Sequence, residues 1–480
     1  MSAENSAQRG VLRSRLAASS VVPGTATVEL AVLACILVAG GVLFHRGLSV
    51  PPSFDESVYL AQGDALLHGQ HLGAQIFAAQ PPGWYWLIAA AGKIGGLSID
   101  TGRLAVMAVA LLGVAGVYFV ARLVAGSVAG LAAAAVLVVS PPYPTFAAQV
   151  SADLPGCVLA VLSLACVLAA MQQRPRLFAP LAGVLFACAE LVKLDAFIVV
   201  LPVLAYLAVR RLRPSVVAIA LAAAAATVAI AAAALGGDLS GVWHGAISYH
   251  VAARSAAGRY ENVHALRSFF DLRQPLTWMT VAALVATIWL RPRARFWPFW
   301  AAAVVGALFL LWQRPLHDNH LVVLAVLLAV PIGATFAAVG ARLPLPALVV
   351  VAVLLLGGYV QETRRLDRNA APIPAGLTSA AAQVDAHSTP QQLIVSDEPL
   401  VPFLAHRRIP GSVIDTAVLR FDAGYLSNQE VLRAIDDDHV PVVVAGRAFL
   451  QRPALLAAIA ARFPARAVYD GVRVYTRAVG

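Results

Sequence analysis

Residues 81–96 read PPGWYWLIAAAGKIGG, and whether this stretch crosses a membrane decides the rest of the fold. It is apolar, but it is short, opens on Pro-Pro and carries Lys93 near its end. A spanning helix needs about 20 mostly apolar residues. If this stretch crossed, every later loop would change sides. The arginine clusters that follow would then face outward, against the preference of basic residues for the inner side. The segment is therefore read as an interfacial helix on the outer surface, with Trp84, Tyr85 and Trp86 at headgroup depth.

The chain around it has 480 residues, 60% hydrophobic and 12% charged. That balance belongs to a polytopic α-helical membrane protein. About eleven spans are read, at 26–44, 103–121, 126–144, 154–171, 177–192, 195–210, 215–235, 276–290, 296–312, 319–340 and 344–360. With the N-terminus inside, the even-numbered spans end near arginines: Arg122, then Arg174 and Arg176, then Arg210, Arg211 and Arg213, then Arg291, Arg293 and Arg295, then Arg342. All acids before residue 361 except Glu4 and Glu29 fall on the other side. Topology does not require acids outside, so their gathering there points to a polar site on the outer face.

The organisation that follows is a cytoplasmic tail (1–25), a transmembrane domain (26–360) with long outer loops at 45–102 and 236–275, a linker (361–375) and an extracytoplasmic α/β domain (376–480). The basic flank of the first span resembles that of a signal peptide, but the many later spans favour an uncleaved anchor. In the C-terminal part QQLIVSDEP, PVVVAG and VRVYTR read as strands, and segments near 428–437 and 451–462 as helices. The expected location is the plasma (inner) membrane, multi-pass, with the C-terminal domain outside. The net charge of +10 is scattered in short clusters between apolar runs, which argues against a nucleic-acid partner. Cys35, Cys157, Cys166 and Cys188 all lie in apolar segments and show neither a disulfide framework nor a metal pair.

Five places on the outer side carry possible chemistry. The first is SFDESVY, just after the first span. Ser53 to Glu56 fits a capping box, while Asp55 beside it suits a cavity-facing base whose pKa partial desolvation would raise. The second is Asp153, opening the fourth span, where a plain helix-start acid is the competing reading. The third is ELVKLDAF, with Glu190, Lys193 and Asp195. Lys193 is one of only two lysines in the chain, and ionisable groups at that depth pair or serve a site. The fourth is the 236–275 loop, where Trp243, His244, Tyr249, His250 and Arg254 lie on or near one interfacial helix. The fifth is QRPLHDNHL, where Arg314, His317, Asp318 and His320 crowd a turn. Its HxxH spacing is weak support for zinc, and Arg and His suit phosphate oxygens better.

Carboxylates and cations on one membrane face suit an anionic lipid carrying a sugar. This pattern resembles the C-type (GT-C) glycosyltransferases, in the branch of the protein O-mannosyltransferases and the lipid A aminoarabinose transferases. Asp55-Glu56-Ser-Val-Tyr59 is similar to that branch's D-E-x-x-Y, and Gln80-Pro81-Pro82 to its Pro-Pro opening of a juxtamembrane helix. Asp153 matches a second Asp, Lys193 a Lys after the fifth span, and His250 and Arg254 a His/Arg-bearing loop helix. The chain departs from the branch in having Ala79-Gln80 before Pro-Pro, where an acidic-basic pair or a His stands in the relatives.

The resemblance implies an enzyme moving a sugar from a polyprenyl-phosphate donor to an acceptor hydroxyl of a glycan, lipid or protein, in one inverting displacement. Asp55 would act as base and Asp153 would orient sugar or acceptor, or act through a metal. Glu56, Tyr59, Gln80 and His250 would bind substrate. Lys193, Arg254, Arg314 and His317 would stabilise the leaving phosphate. The cofactor stays open, a divalent metal ion being one option. A transporter or flippase of lipid-linked sugars and a non-catalytic membrane scaffold are the competing readings.

Overall fold

The computed structural model describes residues 23–210, 213–256, 261–290 and 297–477. Most of the expected cytoplasmic tail, Arg211 and the Arg291, Arg293 and Arg295 cluster lie outside those residues. A helix stands at every place read as a span. Helix α1 (Pro23–Arg46) leads into a long loop that holds α2 (Phe54–Leu67) and α3 (Pro82–Gly95). Helices α4 (Ile99–Ala125), α5 (Ser127–Val138), α6 (Asp153–Gln172), α7 (Pro175–Val192), α8 (Phe197–Arg210) and α9 (Pro214–Leu235) follow. The second long loop holds α10 (Tyr249–Ala256) and α11 (Glu261–Phe269). Then come α12 (Pro275–Leu290), α13 (Trp297–Trp312), α14 (Val322–Gly340) and α15 (Pro344–Asn369).

Among the described residues, 6 helical runs are long and apolar enough to cross a membrane by length and composition. They contain α1, α4, α6, α7, α9 and α14. Helices α5, α12 and α13 are apolar but shorter, at 12, 16 and 16 residues. They rise only about 18–24 Å each at 1.5 Å per residue. The centre of the bundle is α6 and α14, both buried along most of their length. Close packing there depends on small residues. Gly333 of α14 lies so close to Ala133 of α5 that a Cβ would strike its backbone.

Helix α3 has 14 residues, about 21 Å long, and does not span. It lies along α2 and not at the headgroups as an aromatic anchor. Trp84 and Tyr85 are both fully buried, which corrects the expected headgroup placement of those rings. Tyr59 of α2 meets Trp84 edge-on at 5.5 Å between centroids. Burying two large rings stabilises the contact between the two loop helices more than an interfacial position would. Of the three aromatics, Trp86 alone is partly open.

The expected linker is mostly helix. Helix α15 continues to Asn369, and Ala375 already opens α16 (Ala375–Ala386), so only 370–374 is irregular. There Pro372 and Pro374 interrupt the helix. The C-terminal part is an α/β unit with β1 (Val395–Ser396), α17 (Asn428–Asp437), β2 (Val442–Ala445), α18 (Pro453–Arg462), β3 (Ala465–Tyr469) and β4 (Val472–Thr476). The sheet order is β1-β2-β4-β3, with β1 and β2 parallel and the other pairs antiparallel. Strand β3 was not read from the sequence. It is an edge strand whose residues stay largely exposed, so it lacks the buried alternation of an inner strand. This unit rests on the loop between α1 and α4. The Phe77 amide donates to the Gly411 carbonyl (3.4 Å), the Arg420 guanidinium lies 3.7 Å from the Phe77 ring centroid, and that of Arg447 lies 4.4 Å from Phe54's.

Candidate active site

Helix α2 begins where Pro51-Pro52 ends an extended segment and Ser53 caps the first turn, its hydroxyl accepting from the Glu56 amide at 3.2 Å. One helical spacing places Asp55, Tyr59 and Gln62 on a common face. Gln62 donates to the Phe77 carbonyl (2.7 Å), and Gln80 donates to the Tyr59 hydroxyl at 3.4 Å and, through its amide, to Tyr85 at 3.0 Å. Asp55 itself is open to solvent but walled by protein. That surrounding burial raises its carboxyl above the ordinary range, and the charges of Asp415 and Asp153 raise it further. His317 and Lys193 offset part of this.

Glu56, one residue on, points the other way. Its oxygens accept from Arg103 Nε (2.8 Å) and Nη2 (2.7 Å), and one also accepts from the Val150 amide at 3.0 Å. Arg103 spends its remaining donors on the Leu48 and Val50 carbonyls, each at 2.8 Å. Both side chains are buried. The expected substrate-binding role of Glu56 is thereby corrected: its buried carboxylate accepts three hydrogen bonds from protein and lies on a different side of the helix from Asp55. Gln80 is also buried and serves as a brace for Tyr59.

Asp153, at the start of α6, is as crowded as Asp55 is open. It accepts from Ser151 Oγ (3.1 Å) and Asn319 Nδ2 (2.6 Å) and pairs with Lys193 Nζ at 3.2 Å. His320 Nε2 stands 3.8 Å away. The His317 amide donates to His320 Nδ1 (3.1 Å), which leaves the ring proton on Nε2, facing Asp153. Burial works against a charged Lys193, but Asp153 and Asp195 outweigh it, and its pKa sits above the usual lysine value. The site therefore holds a protonated amine across from Asp55. A divalent ion at Asp153 would have to displace that ammonium, so the donors there do not fit a metal. Among the described residues no group of three or more His, Cys, Asp or Glu side chains is arranged to hold one.

The middle loop reaches the same place. Its helical run packs on the first loop, where Gly245 is so close to the Ala78 carbonyl that a side chain would collide. His250 Nε2 then meets the Ala79 carbonyl at 2.7 Å, beside Gln80. Arg254 lies flat on Trp312, 3.6 Å from its centroid. Arg314, two residues further, is half-buried with no hydrogen-bond partner for Nε among the described residues. His317 is exposed. Asp55, Asp153, Lys193 and His317 thus come within range of one another's charge. Arg254, on Trp312, lies at the C-terminal end of α13, which Arg314 follows by two residues.

Sequence reasoning missed Arg103, although a lone arginine at the outer end of a span is a signal, since topology does not ask for it there. It also missed Asp415, for which the sequence offers no signal, because a C-terminal loop brings it to the cavity from far along the chain.

A family model described as dolichyl-phosphate-mannose-protein mannosyltransferase matches residues 79–235. The structure of ArnT from Cupriavidus metallidurans bound to undecaprenyl phosphate superposes with a TM-score of 0.69 at 17% identity, covering 95% of this chain and 98% of that one. The chain has the GT-C fold. The apo form of ArnT gives 0.68 at 17% identity with the same coverage. The archaeal oligosaccharyltransferase AglB from Archaeoglobus fulgidus, in complex with an inhibitory peptide and a dolichol-phosphate, gives 0.59 at 13% identity over 89% of this chain and 70% of that one. No curated protein matches by sequence.

Proposed function

We propose that this protein is a membrane glycosyltransferase that moves a sugar from a polyprenyl-phosphate carrier to an acceptor hydroxyl, on the extracytoplasmic face of the plasma (inner) membrane. The observation that carries this reading is an exposed carboxylate, Asp55, standing within the electrostatic reach of a buried amine, Lys193, that Asp153 holds at 3.2 Å. The family model and the lipid-phosphate complexes of the two structural neighbours support the same donor class.

The reaction is a single displacement. The acceptor oxygen attacks the sugar's anomeric carbon as the bond to the phosphate oxygen breaks, and the configuration inverts. Asp55 takes the hydroxyl proton; its raised pKa makes it a stronger base than a free carboxylate. Negative charge grows on the departing lipid phosphate, and Lys193 faces it as a fixed cation in a site partly shielded from water. Arg254, Arg314, His317 and His250 supply further donors on the same side. Asp153 holds Lys193 and, with His320 and Asn319, fixes where its charge sits. Tyr59 lines the space between.

The test uses membranes carrying the full chain and a panel of radiolabelled undecaprenyl-phosphate sugars, comparing wild type with Asp55→Asn. Transfer from one donor that falls by about 10²–10⁴ in the variant is the expected result. Equal transfer by both proteins would return Asp55 to a helix-start acid. Vectorial movement of intact donor without transfer would make the protein a transporter. EDTA treatment in the same assay, followed by added magnesium or manganese, reads out metal dependence.

A further inference from the structure

The C-terminal unit brings a carboxylate near Asp55 that the transfer step does not use. Asp415 is 7% exposed. One of its oxygens accepts from the Ala417 amide at 3.1 Å, and the other has no hydrogen bond among the described residues. Arg420, which would be its obvious partner, instead donates to the Asp415 backbone carbonyl and lays its guanidinium on Phe77. Arg420 ties the Asp415 backbone to Phe77, and Arg447 of the same unit lies over Phe54, the neighbour of Asp55, so the unit sits beside the start of α2 and the charge of Asp415 reaches Asp55.

Below it lies an aromatic wall built from three separate parts of the chain. Tyr249 of the middle loop meets Phe77 of the first loop at 5.5 Å and Tyr425 of the C-terminal unit at 5.4 Å between centroids. His244 stacks on Tyr425 at 4.6 Å with planes 28° apart. His244 is exposed and Tyr425 half-exposed, so the wall keeps an open surface. An aromatic face beside an unsatisfied carboxylate matches one chemistry closely. A pyranose ring offers apolar C–H faces for stacking and neighbouring hydroxyls for an anionic acceptor, whereas a serine or threonine side chain offers neither face nor second hydroxyl.

We propose that Asp415 and Tyr425, backed by the buried Tyr249, form an acceptor subsite for a saccharide, and that Asp415 holds a hydroxyl next to the one Asp55 deprotonates. This inference rests on the transferase reading above and names its acceptor class. Asp415 and Tyr425 are then binding residues supplied by the C-terminal unit, and the site is incomplete without that unit.

The experiment uses the full-length protein in nanodiscs, the donor panel of undecaprenyl-phosphate sugars, and two acceptor series: octyl glycosides and serine- or threonine-containing peptides. A parallel thermal-shift measurement reads binding of undecaprenyl phosphate alone. Wild type should transfer to a glycoside. Asp415→Asn and Tyr425→Leu should each raise the glycoside KM at least tenfold, with donor KM within twofold and the undecaprenyl phosphate shift unchanged. Tyr425→Leu keeps the wall apolar and carries the test if Asp415→Asn does not fold. Transfer to peptides in preference to glycosides, or an equal rise in both KM values, overturns the proposal. If wild type binds undecaprenyl phosphate but transfers to neither series, the saccharide subsite falls and the donor reading stands. If it neither binds nor transfers, the transferase reading fails with it.

Discussion

On one face of α2, Glu56 accepts three hydrogen bonds from Arg103 and the Val150 amide and is sealed from water. On the other face, one residue earlier, Asp55 is exposed and, among the described residues, makes no ion pair. The two acids differ by one methylene and by about 100° around the helix, yet one is structure and the other is available for chemistry. What separates them is the supply of partners. A carboxylate whose lone pairs are all taken cannot accept a proton from a substrate. One held near other acids, with cations only at a distance, can. Asp153 repeats the lesson on α6: it sits in the site but is committed to Lys193, Asn319 and Ser151.

The largest expected effect tests the closed face. Arg103→Met leaves the Glu56 carboxylate buried without its cation, and breaking such a pair costs about 3–5 kcal/mol. The expected outcome is a large fall in thermal stability of the purified protein, with loss of α2 packing on α4. The double variant Arg103→Met, Glu56→Met should recover most of that loss, because no stranded charge remains. If the single variant keeps wild-type stability but loses sugar transfer, Glu56 belongs to the open face after all.

The contrast also shows what a sequence can carry. The helices at all the span positions were legible because long apolar runs leave few alternatives. Asp55, Asp153 and Lys193 were legible because charge in an apolar chain is conspicuous. The fate of Glu56 was not, since S-x-x-E describes a capping box as well as it describes this turn. Ser53 does cap the Glu56 amide, but the Glu56 side chain goes to an arginine 47 positions on. The aromatic triplet of α3 failed similarly: Trp and Tyr are suited both to headgroups and to protein interiors, and only the neighbouring helix decides. Asp415 required tertiary structure altogether, because its place over Asp55 depends on how the C-terminal unit docks on Phe77 and Phe54.

A smaller effect probes the open face through pH. Burial and the charges of Asp415 and Asp153 raise Asp55 above its ordinary value of 3.8. As the base, Asp55 works when deprotonated, so kcat/KM should fall as pH drops through this raised pKa, beginning at a higher pH than for a free aspartate. Asp415→Asn removes one of the raising charges and should move that acid limb to lower pH. A limb at the pH of an ordinary carboxylate, unmoved by Asp415→Asn, would mean that Asp55 does not sit in the shared field of the cavity.

The smallest effect concerns the cations at the rim. Arg254 lies on Trp312, whereas Lys193 is buried and held by Asp153. A guanidinium over an indole in a partly open setting is worth about 0.5–1 kcal/mol, and lysine does not reproduce the flat stacking. Arg254→Lys should therefore raise the donor KM by about two- to fivefold while leaving the acid limb and the fold unchanged. Trp312→Leu should give a similar rise, because it removes the surface that orients the guanidinium. If neither change moves donor KM, the rim cation does not touch the phosphate. The charge on the leaving group then rests on Lys193, the cation that the buried Asp153 holds at 3.2 Å.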